Sequence, residues 1–232
     1  MLNASLCLFC RLMFVVAPVF LFGCSSTTLA YKDTLELAFI KGPDVDLSLA
    51  DIQQRSVPAL YVRKNDTARA MLGQLENSET QQQWLSADSG LLVMQRGRFV
   101  KMLGFDQQLV GITVLQQDWL SRPVHQLHLG DKSQLITDWT AVQFRGMVSQ
   151  IEIVALQQET LSYFGSEIVV TRVDEQVQFS SGEVVVNSFW FSSVNGMLLK
   201  SKQQPLPNWS VFELEYISDI AKNLSVIGKS SL

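Results

Sequence analysis

The sequence predicts a mainly β protein: antiparallel, strongly curved sheets forming a sandwich or an open barrel, with a few short helices. Three observations carry this. Short apolar runs follow one another closely from Gln82 to Tyr216, turn residues such as Asp88-Ser89-Gly90 and Arg96-Gly97 separate them, and the gaps are too short for the crossover helices of a parallel sheet.

The chain opens differently. Leu12 to Phe22 is almost uninterrupted apolar sequence behind the single charge of Arg11, and it ends Leu21-Phe22-Gly23-Cys24. That order is similar to a bacterial lipoprotein processing site, with Gly23 as the small residue at the cleavage point. The run is short for a transmembrane helix. Residues 1–23 are therefore read as a signal peptide, with Cys24 as the lipidation site and first mature residue. Acyl chains on Cys24 would hold the protein on a lipid membrane without spanning it, since each buried methylene contributes about 0.8 kcal/mol. Ser25, rather than Asp, follows the cysteine, which resembles lipoproteins of the outer membrane.

Residues 24–33 read as a lipidated, Ser/Thr-rich tether and 34–232 as one compact periplasmic body. A short helix is expected over Thr34–Ile40, stopped by Gly42-Pro43. A second is expected over Leu49–Arg55, where Ser48 and Asp51 have capping-box spacing. Ala59–Val62 reads as a strand, and Thr67–Leu75 fits helix or strand. Strands are then expected around Trp84-Leu85, Leu91–Met94 and Phe99–Leu103. Gln107–Ser133 reads as a hinge or as an insertion packed on the body. Further strands are expected at Val142–Val148, Ile151–Leu156, Leu161–Phe164, Ile168–Val173, Val184–Phe191, Met197–Lys200 and Val211–Tyr216, with a closing helix from Ser218-Asp219 to Leu224.

Composition narrows the chemistry. All three cysteines, Cys7, Cys10 and Cys24, lie in the leader or at its end, so no disulfide is expected and packing must supply stability. The formal charge of -4 gives no electrostatic basis for binding nucleic acid. His125 and His128, with Asp131 nearby, could supply part of a metal site, but a structural zinc site requires four ligands; no metal is assigned. No serine stands in a Gly-x-Ser-x-Gly frame. Asp44 and Asp46 follow Gly42-Pro43 and read as turn residues rather than a catalytic pair. Gly97, Gly104 and Gly111 form no nucleotide-binding frame, so no cofactor and no catalytic residue are assigned. Trp84, Trp119, Trp139, Trp190 and Trp209 are left as core aromatics or sugar-packing platforms.

Two segments carry a resemblance. In the first, Trp84-Leu85-Ser86-Ala87-Asp88 precedes Gly97-Arg98-Phe99-Val100 and Gly104-Phe105. In the second, Val186-Asn187-Ser188-Phe189-Trp190-Phe191 leads to Gly196 and Lys200-Ser201-Lys202-Gln203. In this order behind a processing cysteine, the chain resembles the YjbF/GfcB family of bacterial lipoproteins associated with exopolysaccharide or group 4 capsule production. It departs from the family pattern at Phe189, where Tyr is frequent, and at Ser192-Ser193, where acidic character is expected. The resemblance implies a β body on the outer membrane, facing the periplasm. It further implies two partners, an outer-membrane β-barrel secretion protein and a soluble periplasmic secretion-system protein.

The function expected is noncatalytic support of exopolysaccharide or capsule secretion. Direct glycan binding is the alternative, and a glycan-modifying hydrolase or lyase stands behind it. Trp84, Arg98, Asn187 and Trp190 are the candidate glycan-binding or partner-binding residues. Arg98 fits a ligand or partner carboxylate; it fits equally a solvated turn beside a core Phe99, and the latter is preferred. On a regular strand Trp190 opposes Phe189 and Phe191, so both faces of that strand read as covered.

Overall fold

The computed structural model describes residues 44–78, 80–105, 108–139 and 146–230. The leader, Cys24, the tether, the expected helix over 34–40 and Gly42-Pro43 lie outside the described residues.

Helix α1 (Leu49–Gln54) begins as its sequence predicts: Ser48 accepts from the Asp51 N–H while Asp51 caps the Ser48 N–H in return. Twelve strands follow. They are β1 (Ala59–Lys64), β2 (Ala70–Asn77), β3 (Gln81–Ser86), β4 (Leu91–Gln95), β5 (Arg98–Leu103), β6 (Leu109–Val114), β7 (Lys132–Trp139), β8 (Met147–Tyr163), β9 (Ser166–Phe179), β10 (Val184–Ser192), β11 (Leu198–Gln203) and β12 (Phe212–Glu215). Helix α2 (Ile217–Ser230) ends the body. Each strand pairs antiparallel with its sequence neighbour, and β1 pairs with β12 through Tyr61 opposite Glu215 and Val62 opposite Leu214. The barrel is thus closed, with neither the free edges of an open barrel nor the two sheets of a sandwich.

Period-two alternation sorts the side chains. Leu60 and Val62 of β1, Val173 and Val177 of β9, and Phe189 and Phe191 of β10 enter one interior core. Ala59, Tyr61, Ile168, Val170, Trp190 and Leu199 face outward into a second core, covered by Ile52 of α1 and Ile217, Ile220 and Ala221 of α2. The spacing of those α2 residues puts them on one helical face. Elsewhere the outer surface is mixed, with Gln81, Lys132, Gln150 and Gln178 exposed beside Val184 and Val186. The apolar interior contrasts with the polar lumen of a membrane-spanning barrel. No helix among the described residues is long and apolar enough to cross a membrane.

Thr67–Leu75 resolves in favour of strand β2. The expected segments at 151–156 and 161–164 are one continuous strand, β8, pairing with β9 from Ser149–Phe179 to Tyr163–Ser166. A bulge between Ile153 and Ala155 shifts the register and interrupts the alternation, so the sequence reads as two pieces. The segment 107–133 is an insertion rather than a hinge. After β6 it forms two short 3-10 turns, Trp119–Ser121 and Val124–Gln126, and drives Trp119, Leu120 and Leu127 into the barrel.

Candidate functional site

The interior carries charge where an apolar barrel would be cheapest. Along the inward face of β9 the order is Val173, Glu175, Val177, Phe179, and Glu175 is fully buried at 0% exposure. A lone buried carboxylate is too costly to persist without partners. Glu175 has four donors: Arg98 Nη1 and Asn187 Nδ2 on Oε1 at 2.7 and 2.9 Å, and Arg98 Nη2 and Trp119 Nε1 on Oε2, both at 2.7 Å. These fill the lone-pair capacity of an ionised carboxylate.

Arg98 completes the cluster. Its Nε and Nη2 donate to the two oxygens of Asp118 at 2.5 and 2.9 Å, so one planar guanidinium bridges two carboxylates. It is 4% exposed and lies 5.8 Å over the Phe189 ring. The expected solvated turn at Arg98 is therefore corrected, although Phe99 does enter the core. The β4–β5 hairpin contains a bulge, with Met94 opposite Phe99 but Val93 opposite Lys101. Bulges add twist and re-aim side chains, and here Arg98 and Phe99 both end up inside. Gln203 seals the backbone of this hairpin, accepting from the Phe99 N–H and donating to the Gly97 carbonyl.

Burial opposes charge on Arg98, but the two carboxylates outweigh it and push the guanidinium above its ordinary value. Burial likewise pushes the Asp118 carboxyl up; the Arg98 charge and hydrogen bonds, with the Leu120 N–H, reverse this and hold it below the usual range. A carboxyl held low stabilises the fold above its unfolded value of about 4 and loses that contribution as pH falls through the folded value. The thermal midpoint is therefore expected to drop steeply below about pH 4. Asp118→Asn should show a lower midpoint at neutral pH and a shallower acid slope, read by circular dichroism melts. Equal slopes in the two proteins would contradict this assignment.

Of the four sequence candidates, Arg98 and Asn187 meet on Glu175. Asn187 also accepts from the Gln204 N–H, tying β10 to the segment that follows β11. Trp190 points to the opposite side of β10. Its Nε1 donates to Glu159, which is paired with Arg172, and Lys200 lies 5.6 Å over its ring. Both faces of β10 are thus covered. Trp84 lies in the interior, edge-on to Tyr216 at 6.2 Å. All four are buried, and Arg98, Asn187 and Trp190 are engaged by protein partners. The space beside Arg98, Asn187 and Ser149 is about 20 Å³, room for about one water molecule.

The other acidic candidates are also engaged. Asp44 holds Arg63 and the Arg69 N–H, and Asp46 pairs with Arg69. The Asp131 carboxylate accepts from Arg122 and from the His128 N–H, while His125 and His128 are exposed. Among the described residues no group of three or more His, Cys, Asp or Glu side chains is placed to hold a metal ion. Sequence reasoning missed Glu175 and Asp118, and named Trp119 only among the five tryptophans and Gln203 only as the end of a motif. The available signal was Glu175 itself, an acid on the apolar phase of Val173, Val177 and Phe179.

The model of the family described as group 4 capsule polysaccharide lipoprotein gfcB, YjbF matches residues 32–217, and so spans both motif segments and the whole barrel. The chain belongs to the YjbF family. It is 27% identical over 198 residues to the uncharacterized lipoprotein GfcB of Escherichia coli K12, covering 83% of this chain and 90% of that one. To the uncharacterized lipoprotein YjbF of the same organism it is 26% identical over 182 residues, covering 78% and 84%. The crystal structure of the hypothetical lipoprotein YmcC from Escherichia coli superposes with a TM-score of 0.66 at 22% identity, over 73% of this chain and 87% of that one. That likeness concerns the fold alone.

Proposed function

We propose that this chain is a noncatalytic outer-membrane lipoprotein, anchored through Cys24 and facing the periplasm, that supports assembly or operation of an exopolysaccharide or capsule secretion system. The observation that carries the reading is the family match over nearly the whole body, behind a leader ending Leu21-Phe22-Gly23-Cys24. The interior supports the noncatalytic part. Asp118 and Glu175 are two convergent carboxylates, as glycoside hydrolysis requires. Yet one arginine clamps both, Glu175 has no acceptor site left, and no room for a sugar remains beside them. A general acid needs a raised value near working pH, whereas Asp118 is held low.

Its partners in this reading are an outer-membrane β-barrel secretion protein and a soluble periplasmic secretion-system protein, with the exported polysaccharide as a further contact. Anchoring on the same membrane raises the effective concentration of the body near such a barrel. Crosslinking in membranes during polymer export tests this, and recovery of the barrel partner is the expected result. Cys24→Ser should abolish acylation at position 24 and leave the leader uncleaved, both read by mass spectrometry, and should abolish those crosslinks. An unacylated sulfur at position 24 with an intact leader, seen by mass spectrometry, would overturn the anchoring. Cleavage of the polymer by the purified protein would overturn the noncatalytic assignment.

A further inference from the structure

At one end of the barrel, the turns that carry the two family motifs meet. The β4–β5 turn brings Arg96 and Gly97, and the β10–β11 turn brings Gly196 and Met197; between them, the end of β2, the start of β3 and the first turn of α2 enclose a cavity of about 290 Å³. This is near the lower end of small-molecule sites. Gly97 makes the close approach possible. Its φ is +93°, and a Cβ there would stand 2.2 Å from Leu198 Cδ2 and 3.7 Å from the Tyr216 hydroxyl. The Gln203 side chain, from the second motif, holds the Gly97 carbonyl at 2.7 Å.

The lining is mixed. Phe191, Leu198 and the Tyr216 ring give it an apolar side, while Asn77, Gln82 and Arg96 give it amides and a guanidinium at the rim. Tyr216 is 3% exposed and closes the cavity wall with its ring, while its hydroxyl is sealed from solvent. Burial, with the Asp219 carboxylate adding to it, pushes the phenol up.

A larger crevice of about 600 Å³ on the outer surface offers a contrast. There Tyr61 accepts from the Leu47 N–H, Tyr163 donates to Glu215, and Arg69 bonds Glu215 and the Val45 carbonyl. Its polar groups serve to hold the β8–β9 hairpin and the α1 approach in place.

Apolar area beside a ring of amide, hydroxyl and guanidinium groups suits a polyhydroxylated ring, which presents C–H faces and hydroxyls together. We infer that the barrel-mouth cavity binds one sugar unit of the exported polysaccharide. Arg96, Gln82 and Asn77 meet its hydroxyl or carboxylate groups, and Phe191, Leu198 and the Tyr216 ring back its C–H face. The inference rests on the polysaccharide role proposed above and assigns its glycan contact to a site. Among the described lining residues, one guanidinium and an Asp219 already paired with Lys222 at 2.9 Å fit a neutral sugar or one with a single acid group.

The test uses the full-length lipidated protein in detergent micelles. It is titrated with oligosaccharides from partial acid hydrolysis of the producing cell's own exopolysaccharide, with dextran oligosaccharides as control. Calorimetry and tryptophan fluorescence read binding, the latter because Trp84 packs edge-on to Tyr216. Saturable binding is expected. Arg96→Asn keeps a residue that tolerates the positive φ of 51° at this position, and Gln82→Ala removes a lining amide. Each should weaken binding about fivefold or more without lowering the melting temperature. Absence of saturable binding, or wild-type affinity in both variants, overturns the site. Membrane crosslinks to the barrel partner that persist in Arg96→Asn, while oligosaccharide binding is absent throughout, sink this inference alone. Loss of those crosslinks in the wild-type protein sinks the secretion role beneath it.

Discussion

Replacing Arg98 with methionine is expected to lower the unfolding free energy by about 3–5 kcal/mol, because it strands two carboxylates around an apolar side chain. For a body of this size, that corresponds to a fall of roughly 6–20 °C in melting temperature. Glu175 has no exposure and Asp118 is 12% exposed at its side chain, so neither can recover its solvation by a small rotation. Methionine approximates the length and volume of the arginine stem. The cost therefore reports the missing charge and its four hydrogen bonds rather than a cavity.

The double variant Arg98→Met/Glu175→Leu separates two explanations. If the ion cluster stabilises the barrel only by compensating its own buried charges, removing two of its three charged members should restore part of the loss, as apolar replacements of buried ion pairs do. Asp118 would still lack its counter-charge, and Asn187 and Trp119 the acceptor they share on Glu175, so recovery should be incomplete. A single variant that melts with the wild-type protein would mean that Arg98 is not the counter-charge of this interior.

These partners show where the sequence is readable and where it is not. Local rules placed α1, since Ser48 and Asp51 are three residues apart and make the cap themselves. They also placed β4 and β10, whose runs lie between recognisable turns. Closure depends on β1 meeting β12 across about the length of the body, and nothing near Tyr61 names Glu215 as its neighbour. Arg98 and Asn187 stood out as members of the two motif segments, Arg98 in a turn and Asn187 in a strand. Their meeting point did not, because Arg98 reaches 77 residues along the chain to Glu175 and 20 to Asp118. Trp190 was legible from its neighbours: alternation with Phe189 and Phe191 required cover on both sides of β10, and α2 provides the outer one.

The insertion between β6 and β7 gives the other large effect. Trp119→Ala should cost about 3–5 kcal/mol, the range for deleting a large buried aromatic. Trp119 is 1% exposed and meets Phe189 edge to face at 5.2 Å and Phe191 at 6.2 Å. It also supplies one of the four donors to Glu175, and its backbone N–H is held by Ser133 Oγ at 3.2 Å. Trp119→Phe retains most of the aromatic area but removes that donor, so its smaller loss should reappear as coupling. A double-mutant cycle of Trp119→Phe with Glu175→Gln is expected to give an interaction energy of about 0.5–3 kcal/mol. Amide hydrogen exchange adds a local reading. If Trp119 pins the insertion in the barrel, Trp119→Ala should accelerate exchange across residues 115–131 more than in β9 and β10, which keep their full ladder. Uniform acceleration would instead assign Trp119 to the general core, with no separate role in seating the plug.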